Sequence, residues 1–209
     1  MPRAFSPDER ARIQERLLTA GRQAFATYGL RRASVDDLAR AAAISKGAFY
    51  LFYPSKEALL LDVLQRFEAD FQRRMLDQVL RPELTPAESL RSMLHAALAV
   101  RGSDPVLRKL TGADAQALLR RISPAQAAAL RKADVASVHR FLDYWRARGA
   151  DIQVDEDVLT GLMRAIVLST LRELEIGSSV YRQVMELMID AVAAHVMPTT
   201  TTPEVSHAG

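Results

Sequence analysis

The segment SKGAFYLFY at 45–53 sets a hydroxyl (Ser45), an ammonium (Lys46) and a bare backbone (Gly47) ahead of four aromatic rings, Phe49, Tyr50, Phe52 and Tyr53. The whole chain holds only seven Phe, five Tyr and one Trp, so this is a concentrated use of rings. On a helix beginning at Lys46, Phe49 and Tyr53 lie four apart and share one face, as core anchors do. Lys46, Gly47, Ala48, Tyr50 and Leu51 then turn outward. The polar members can donate to phosphate oxygens. Gly47 and Ala48 let the backbone approach a partner closely, and Leu51 can make apolar contact with a thymine methyl. The chemistry on offer is recognition, with no bond made or broken.

Charge points the same way. Residues 1–60 carry ten Lys/Arg against six Asp/Glu, whereas the remainder carries eighteen against nineteen. The positive excess therefore sits at one end, an asymmetry expected of a chain that meets a polyanion there. With no cysteine, disulfides and thiolate metal sites are excluded. His95, His139, His195 and His207 are scattered, no glycine-rich phosphate loop occurs, and no catalytic residue, metal site or cofactor is expected. No apolar run approaches the ~20 residues of a membrane span, and the start lacks a secretory apolar core. A cytoplasmic protein without a membrane partner is the expectation.

The elements that would hold this segment read as helices throughout. A first helix is expected from Ser6 to Tyr28, with Ile13, Leu17, Ala20, Ala24, Phe25 and Tyr28 on one stripe and Gly29 at its end. Ser34 caps a short second helix whose first turn holds Asp36 and Asp37, where the dipole favours anions. After a turn at Ala43-Ile44, Ser45 caps the third, to about Phe52. Pro54 stops it, and Ser55 opens a long helix to residue 80 with Leu59, Val63, Phe67, Phe71 and Leu76 inward. Two short helices joined by a tight turn and laid on a longer one form the helix-turn-helix plan, in which the second short helix enters the DNA major groove. Further helices are expected at about 87–101, from Asp104-Pro105 to Leu110, from Ser123-Pro124 to Arg148, over 155–176 up to Gly177, and from Ser178 or Ser179 to Met197. The tail from 198 to 209 lacks apolar periodicity and is expected to be disordered.

At this point the sequence resembles the tetracycline-repressor (TetR/AcrR) family of bacterial transcription regulators. The resemblance is carried by Ala24-Phe25…Gly29, Ser34-Val35-Asp36-Asp37-Leu38-Ala39, Ile44-Ser45-Lys46-Gly47 and Phe49-Tyr50…Tyr53-Pro54-Ser55-Lys56-Glu57-Ala58-Leu59, across roughly residues 11–70. It implies an all-α fold: an N-terminal arm (1–10), a three-helix DNA-binding domain (11–71, helix-turn-helix 34–53) and a helical ligand-binding and dimerisation domain (72–197). It implies phosphate contacts at Ser34, Tyr50 and Lys56 and a base-facing edge at Ser45, Lys46, Gly47 and Ala48. Leu51 and Arg32 complete the expected DNA surface, Arg31 and Arg32 being read as a charged loop pair. Two departures stand out. Ala43 occupies a turn position where the family usually has Gly, so the turn could follow a different path, and Phe52 replaces a common His or Tyr.

The C-terminal helices add an expectation from their own pattern. In 179–197, Val180, Val184, Leu187, Met188 and Ala191 form one apolar stripe and Tyr181, Met185, Ile189, Val192 and Val196 a second, leaving a narrow polar stripe of Arg182, Glu186 and Asp190. A helix apolar on two faces must be buried on both, one in its own domain and one elsewhere. By resemblance, 155–197 forms the interface of a homodimer that reads a palindromic DNA operator. The resemblance also implies a pocket for a small apolar or amphipathic effector, with Phe67, Phe71, Met93, Leu94, Leu118, Phe141, Tyr144, Trp145 and Arg164 as candidate lining. Trp145 and Arg164 stand out there, each bringing a polar group to an apolar setting. The expected role is a repressor released by its ligand. The alternatives are an activator or dual regulator of the same fold, or a ligand-binding helical protein that no longer binds DNA.

Overall fold

The computed structural model describes residues 5–120 and 124–198, and every regular element among them is an α-helix. In chain order these are α1 (Pro7–Arg32), α2 (Val35–Ala41), α3 (Lys46–Phe49), α4 (Lys56–Val79), α5 (Pro86–Ser103), α6 (Pro105–Lys109), α7 (Gly112–Leu119), α8 (Pro124–Arg146), α9 (Glu156–Ser169), α10 (Glu173–Ile176) and α11 (Tyr181–Val196). They sort into two compact units, one comprising residues up to Arg73 together with Ala99–Ala133, the other Arg74–Leu98 together with the chain from Asp134. Helices α4, α5 and α8 each contribute to both.

The first unit is built on α1. Ser6 accepts from the amide of Glu9 while the Glu9 carboxylate accepts from the amide of Ser6, so the helix starts within the expected N-terminal arm. Gly29 breaks it with φ 73° and ψ 172°, a combination open essentially to glycine alone. Beyond the break α1 resumes for a last turn, so Arg31 and Arg32 are helical rather than a loop pair. Leu30 takes the next core place, and Tyr28, expected on the buried stripe, is exposed. The core joins Ile13, Leu17 and Phe25 of α1 to Leu38 and Ala39 of α2, Phe49 of α3 and Leu59, Leu60 and Val63 of α4. Val106, Leu110 and Leu118 belong to the same core, so α6 and α7 pack in the first unit.

Other element boundaries differ from the sequence expectation as well: α3, expected to run to about Phe52, ends at Phe49. Helix α7 was not anticipated; Thr111 and Asp114 form a reciprocal capping box at its start. The helix expected over 155–176 ends at Ser169 and resumes as α10. There the Ser169 and Thr170 hydroxyls donate to the carbonyls of Ile166 and Val167, side-chain bonds that compete with the helical ladder. Helix α11 starts from Val180 without a side-chain cap, so neither Ser178 nor Ser179 serves as one. The expected tail from 199 onward lies outside the described residues.

Within the second unit Leu90, Met93 and Leu94 of α5, Phe141, Leu142 and Trp145 of α8, Leu159 and Ile166 of α9 and Met185 and Ile189 of α11 are buried. The polar stripe of α11 faces α5: Asp190 pairs with Arg91 at 2.7 Å and Glu186 with His95 at 3.4 Å.

Candidate nucleic-acid interface

Helix α3 is four residues long, and its position is set by what flanks it. Ser45 accepts from the Ala48 amide at 3.1 Å, capping the N-terminus. Phe49 is fully buried and Tyr53 nearly so, their rings 6.1 Å apart. The Tyr53 hydroxyl donates to Asp62 of α4 at 2.6 Å, tying the residues after α3 to the long helix. Phe52, in the turn that follows, packs on Phe5 with ring centroids 5.8 Å apart, and the Arg10 guanidinium lies 4.9 Å over it. The same arginine donates to the Leu51 carbonyl at 3.3 Å. A ring thus replaces a polar group at 52, and the start of α1 clamps it.

With those anchors inward, Ser45, Lys46, Gly47, Tyr50 and Leu51 are exposed and Ala48 is half-buried, side by side on α3 and its following turn. Tyr50 meets Phe49 edge-on at 5.5 Å and is half exposed. Gly47 is helical, and a β-carbon there would meet only the Ser45 hydroxyl, at 3.9 Å. Nothing in the protein requires glycine at this place. Lys46 pairs with Asp36 of α2 at 2.8 Å, and that carboxylate holds the ammonium pKa above its ordinary value. Both partners are more than half exposed, so the pair is weak and exchangeable.

The expected phosphate-facing residues lie around the end of α1. Ser34 caps α2, accepting from the Asp37 amide at 3.1 Å and donating to the Asp37 carboxylate at 2.6 Å. Lys56 donates to the carbonyls of Ala33, at 2.9 Å, and Arg31, at 3.2 Å. An ammonium has three donors, so one remains for a phosphate while the other two cap the last turn of α1. Arg32 is exposed beside them, and Arg31 reaches Asp114 of α7 at 3.4 Å. Burial pushes the Asp114 carboxyl up, but Thr111 and Arg31 outweigh it and hold the group below its ordinary value. The turn between α2 and α3 keeps a left-handed residue, with Ala43 at φ 55°. The expected alternative path is not taken.

The candidate pocket residues are divided between the units: Phe67, Phe71 and Leu118 in the first, Met93, Leu94, Phe141, Tyr144, Trp145 and Arg164 in the second. The two polar groups that singled out Trp145 and Arg164 are both used within the protein. The buried indole donates to Ser89 at 3.0 Å, and the guanidinium pairs with Asp134 at 2.7 Å. Sequence reasoning gave less weight to Tyr144, yet its buried hydroxyl finds no partner among the described residues, and neither does that of Thr160. Among the described residues no group of His, Asp or Glu is placed to hold a metal, and no helix is long and apolar enough to cross a membrane.

Comparison with known proteins agrees with this geometry. Residues 17–63 match the family described as bacterial regulatory proteins, tetR family. Over 89 residues the chain is 32% identical to the HTH-type transcriptional repressor DhaR of Mycobacterium sp. (strain GP1), covering 43% of this chain and 45% of that protein. The chain thus spans under half the length of the curated relatives it matches. Over nearly its full length it shares a fold with solved structures. A TetR-family transcriptional regulator from Pectobacterium atrosepticum superposes with TM-score 0.73 at 20% identity, covering 93% of this chain and 98% of that one. RolR in complex with resorcinol does so with TM-score 0.61 at 20% identity, covering 92% and 98%. The N-terminal helices of this chain are a helix-turn-helix domain of the tetR family of bacterial regulatory proteins.

Proposed function

We propose that the protein is a DNA-binding transcriptional regulator of the TetR type, a homodimeric repressor that leaves a palindromic operator when a small molecule binds. The observation that carries the DNA-binding part is the division of labour in α3. Phe49 and Tyr53 are buried, while Ser45, Lys46, Gly47, Tyr50 and Leu51 form one exposed edge. A helix so small has no use for an exposed Tyr and Leu beside an open glycine unless a partner covers them, and its N-terminal residues are those that reach base edges in this plan. The matched relatives are named as transcriptional regulators, one of them a repressor.

Dimerisation is supported by apolar side chains that the second unit leaves uncovered. Val167 and Leu168 of α9, Leu174 and Ile176 of α10, and Val180, Leu187 and Met188 near or on α11 are all exposed. So many large apolar side chains left exposed on three successive elements favour an interaction site there. For the effector, the buried, unpartnered hydroxyls of Tyr144 and Thr160 favour a ligand with a polar group near the end of α8 or the start of α9. Each unpartnered hydroxyl costs about 1–3 kcal/mol, which a bound acceptor or donor would recover. The resorcinol-bound neighbour supports only that this fold can hold a small molecule.

The test is binding of the full chain to the DNA upstream of its own gene, followed from 50 to 200 mM salt. A contact with about six phosphates predicts a fall in affinity on the order of 10³. No binding, or binding indifferent to salt, would overturn the assignment.

A further inference from the structure

The segment that follows α5 brings cations to the DNA-facing end of α1 from far along the sequence. Helix α6 lies along the second half of α1 and is clamped there by two charge pairs. At its start the buried Asp104 caps α6 through the amides of Val106 and Leu107 and binds Arg22 at 2.6 Å. Just beyond its end, Asp114 meets Arg31. Val106 and Leu110 enter the core beneath. At the far end of α6, a β-carbon placed on Gly29 would lie 3.9 Å from the Lys109 carbonyl oxygen and 4.0 Å from the Lys109 β-carbon. One helical turn further on are Arg32, Ser34 and the Arg31 and Ala33 carbonyls that hold Lys56. Arg108 and Lys109 are exposed, and Arg108 gives one of its five guanidinium donors to the Gly102 carbonyl at 3.1 Å. The nearby acids do not cancel them, since Asp104 is matched by Arg22 and Asp114 by Arg31.

From this juxtaposition we infer that Arg108 and Lys109 are contacts to the DNA sugar-phosphate backbone, continuing the surface of Arg32, Ser34 and Lys56 past the edge of the helix-turn-helix. The inference rests on the DNA-binding assignment above. Duplex DNA presents one charge per ~1.7 Å of axis, so a cationic surface lengthened by one short helix meets further phosphates without reading any base. Because α6 continues directly from α5, whose first part belongs to the second unit, these contacts sit on the chain segment leaving that unit.

The full-length protein is titrated by fluorescence anisotropy against two unrelated duplexes, one the upstream DNA and one of scrambled sequence, between 50 and 200 mM salt. The double variant Arg108→Gln/Lys109→Gln is compared with wild type and with Arg81→Gln/Arg140→Gln, which removes equal charge from exposed positions of the second unit outside 155–197. Circular dichroism confirms folding of each. The expected result is a log–log salt slope shallower by about two per bound protomer for the 108/109 variant. Affinity should fall by the same factor on both duplexes, and the 81/140 control should keep the wild-type slope. Arg108→Lys/Lys109→Arg, which keeps both charges, should behave as wild type. Wild-type binding with an unchanged slope in the 108/109 variant overturns this inference and leaves the DNA-binding assignment standing. An equal loss in the 81/140 control also overturns it, because net charge would then explain the effect. Failure of wild type to bind either duplex overturns both.

Discussion

Ala43 holds φ at 55°, where an L side chain crowds its own backbone by roughly 1–2 kcal/mol. The turn before α3 accepts that strain because residues on both sides are fixed: the Ala42 and Ile44 amides bond back to Leu38 and Ala39, and Phe49 is locked in the core. Ala43→Gly should therefore stabilise the protein by about 0.5–1 kcal/mol after the extra unfolded-state freedom of glycine is subtracted, a rise of about 1–4 °C in melting temperature. A lower melting temperature would show that the turn does not hold this conformation in solution. Gly47 is the converse case. Its φ is helical and the space around it open, so Gly47→Ala should keep or raise the melting temperature, since alanine is favoured in helices by about 1 kcal/mol. The same change should weaken operator binding, because the added methyl stands where backbone and groove meet. Unchanged affinity would place the DNA away from this backbone. At this scale the sequence was legible where a residue answers to its neighbours, as Ser34, Ser45 and Ser55 do in capping the helices they precede. It could not supply the partners of Trp145 and Arg164, since Ser89 and Asp134 stand 56 and 30 positions away. A polar group on an apolar helix looks available until the fold supplies its mate.

At the level of elements, α3 is too short to hold itself and depends on its anchors. Phe49→Ala should cost about 3–5 kcal/mol and abolish DNA binding together with the fold of the first unit, as a thermal melt would show. Retained melting with lost binding would mean that Phe49 faces outward. The link between α8 and α9 has a different character. His139 of α8 lies 2.8 Å from Glu156 of α9 and 3.0 Å from Asp143 of its own helix, and Glu156 chiefly raises its pKa above the ordinary value. A raised pKa stabilises the fold fully below the unfolded value of about 6.5, and the contribution fades as pH rises through the folded value. Melting temperature should thus fall slightly from pH 6 to pH 8 by a component that His139→Gln removes; a parallel decline in that variant would assign the slope to other groups. The exposed setting keeps this effect small. Helix ends also mark where periodicity stopped being informative. Leu171 and Ile176 continue the apolar pattern of α9 past Ser169, so the break came from hydroxyls rather than from any change in hydrophobic rhythm. Helix α7 escaped notice because GADAQALL, short and rich in alanine, has little contrast between faces, although Thr111 and Asp114 stood at capping-box spacing.

For the molecule as a whole, the two-faced pattern of α11 finds a direct counterpart in burial. Met185, Ile189, Ala193 and Val196 are inside, whereas Leu187, 64% exposed, and Met188 are outside on the stripe assigned to a second copy. This difference makes the dimer testable without risking the fold. Leu187→Asp puts a charge where the isolated protomer already meets water, so the variant should keep its melting behaviour at low concentration. In a dimer the same carboxylate would be buried without a partner, a cost of several kcal/mol that a modest interface cannot absorb. Sedimentation velocity at micromolar concentration should give a dimer for wild type and a monomer for Leu187→Asp. Operator binding should fall in step, because two half-sites about 34–36 Å apart can be held together only by a paired molecule. Met185→Asp serves as the contrast: placed in the protomer's own core, it should unfold the second unit rather than split a dimer. A wild-type monomer, or a Leu187→Asp dimer with full operator affinity, would mean that the exposed apolar face of α9 to α11 serves some partner other than a second copy of this chain.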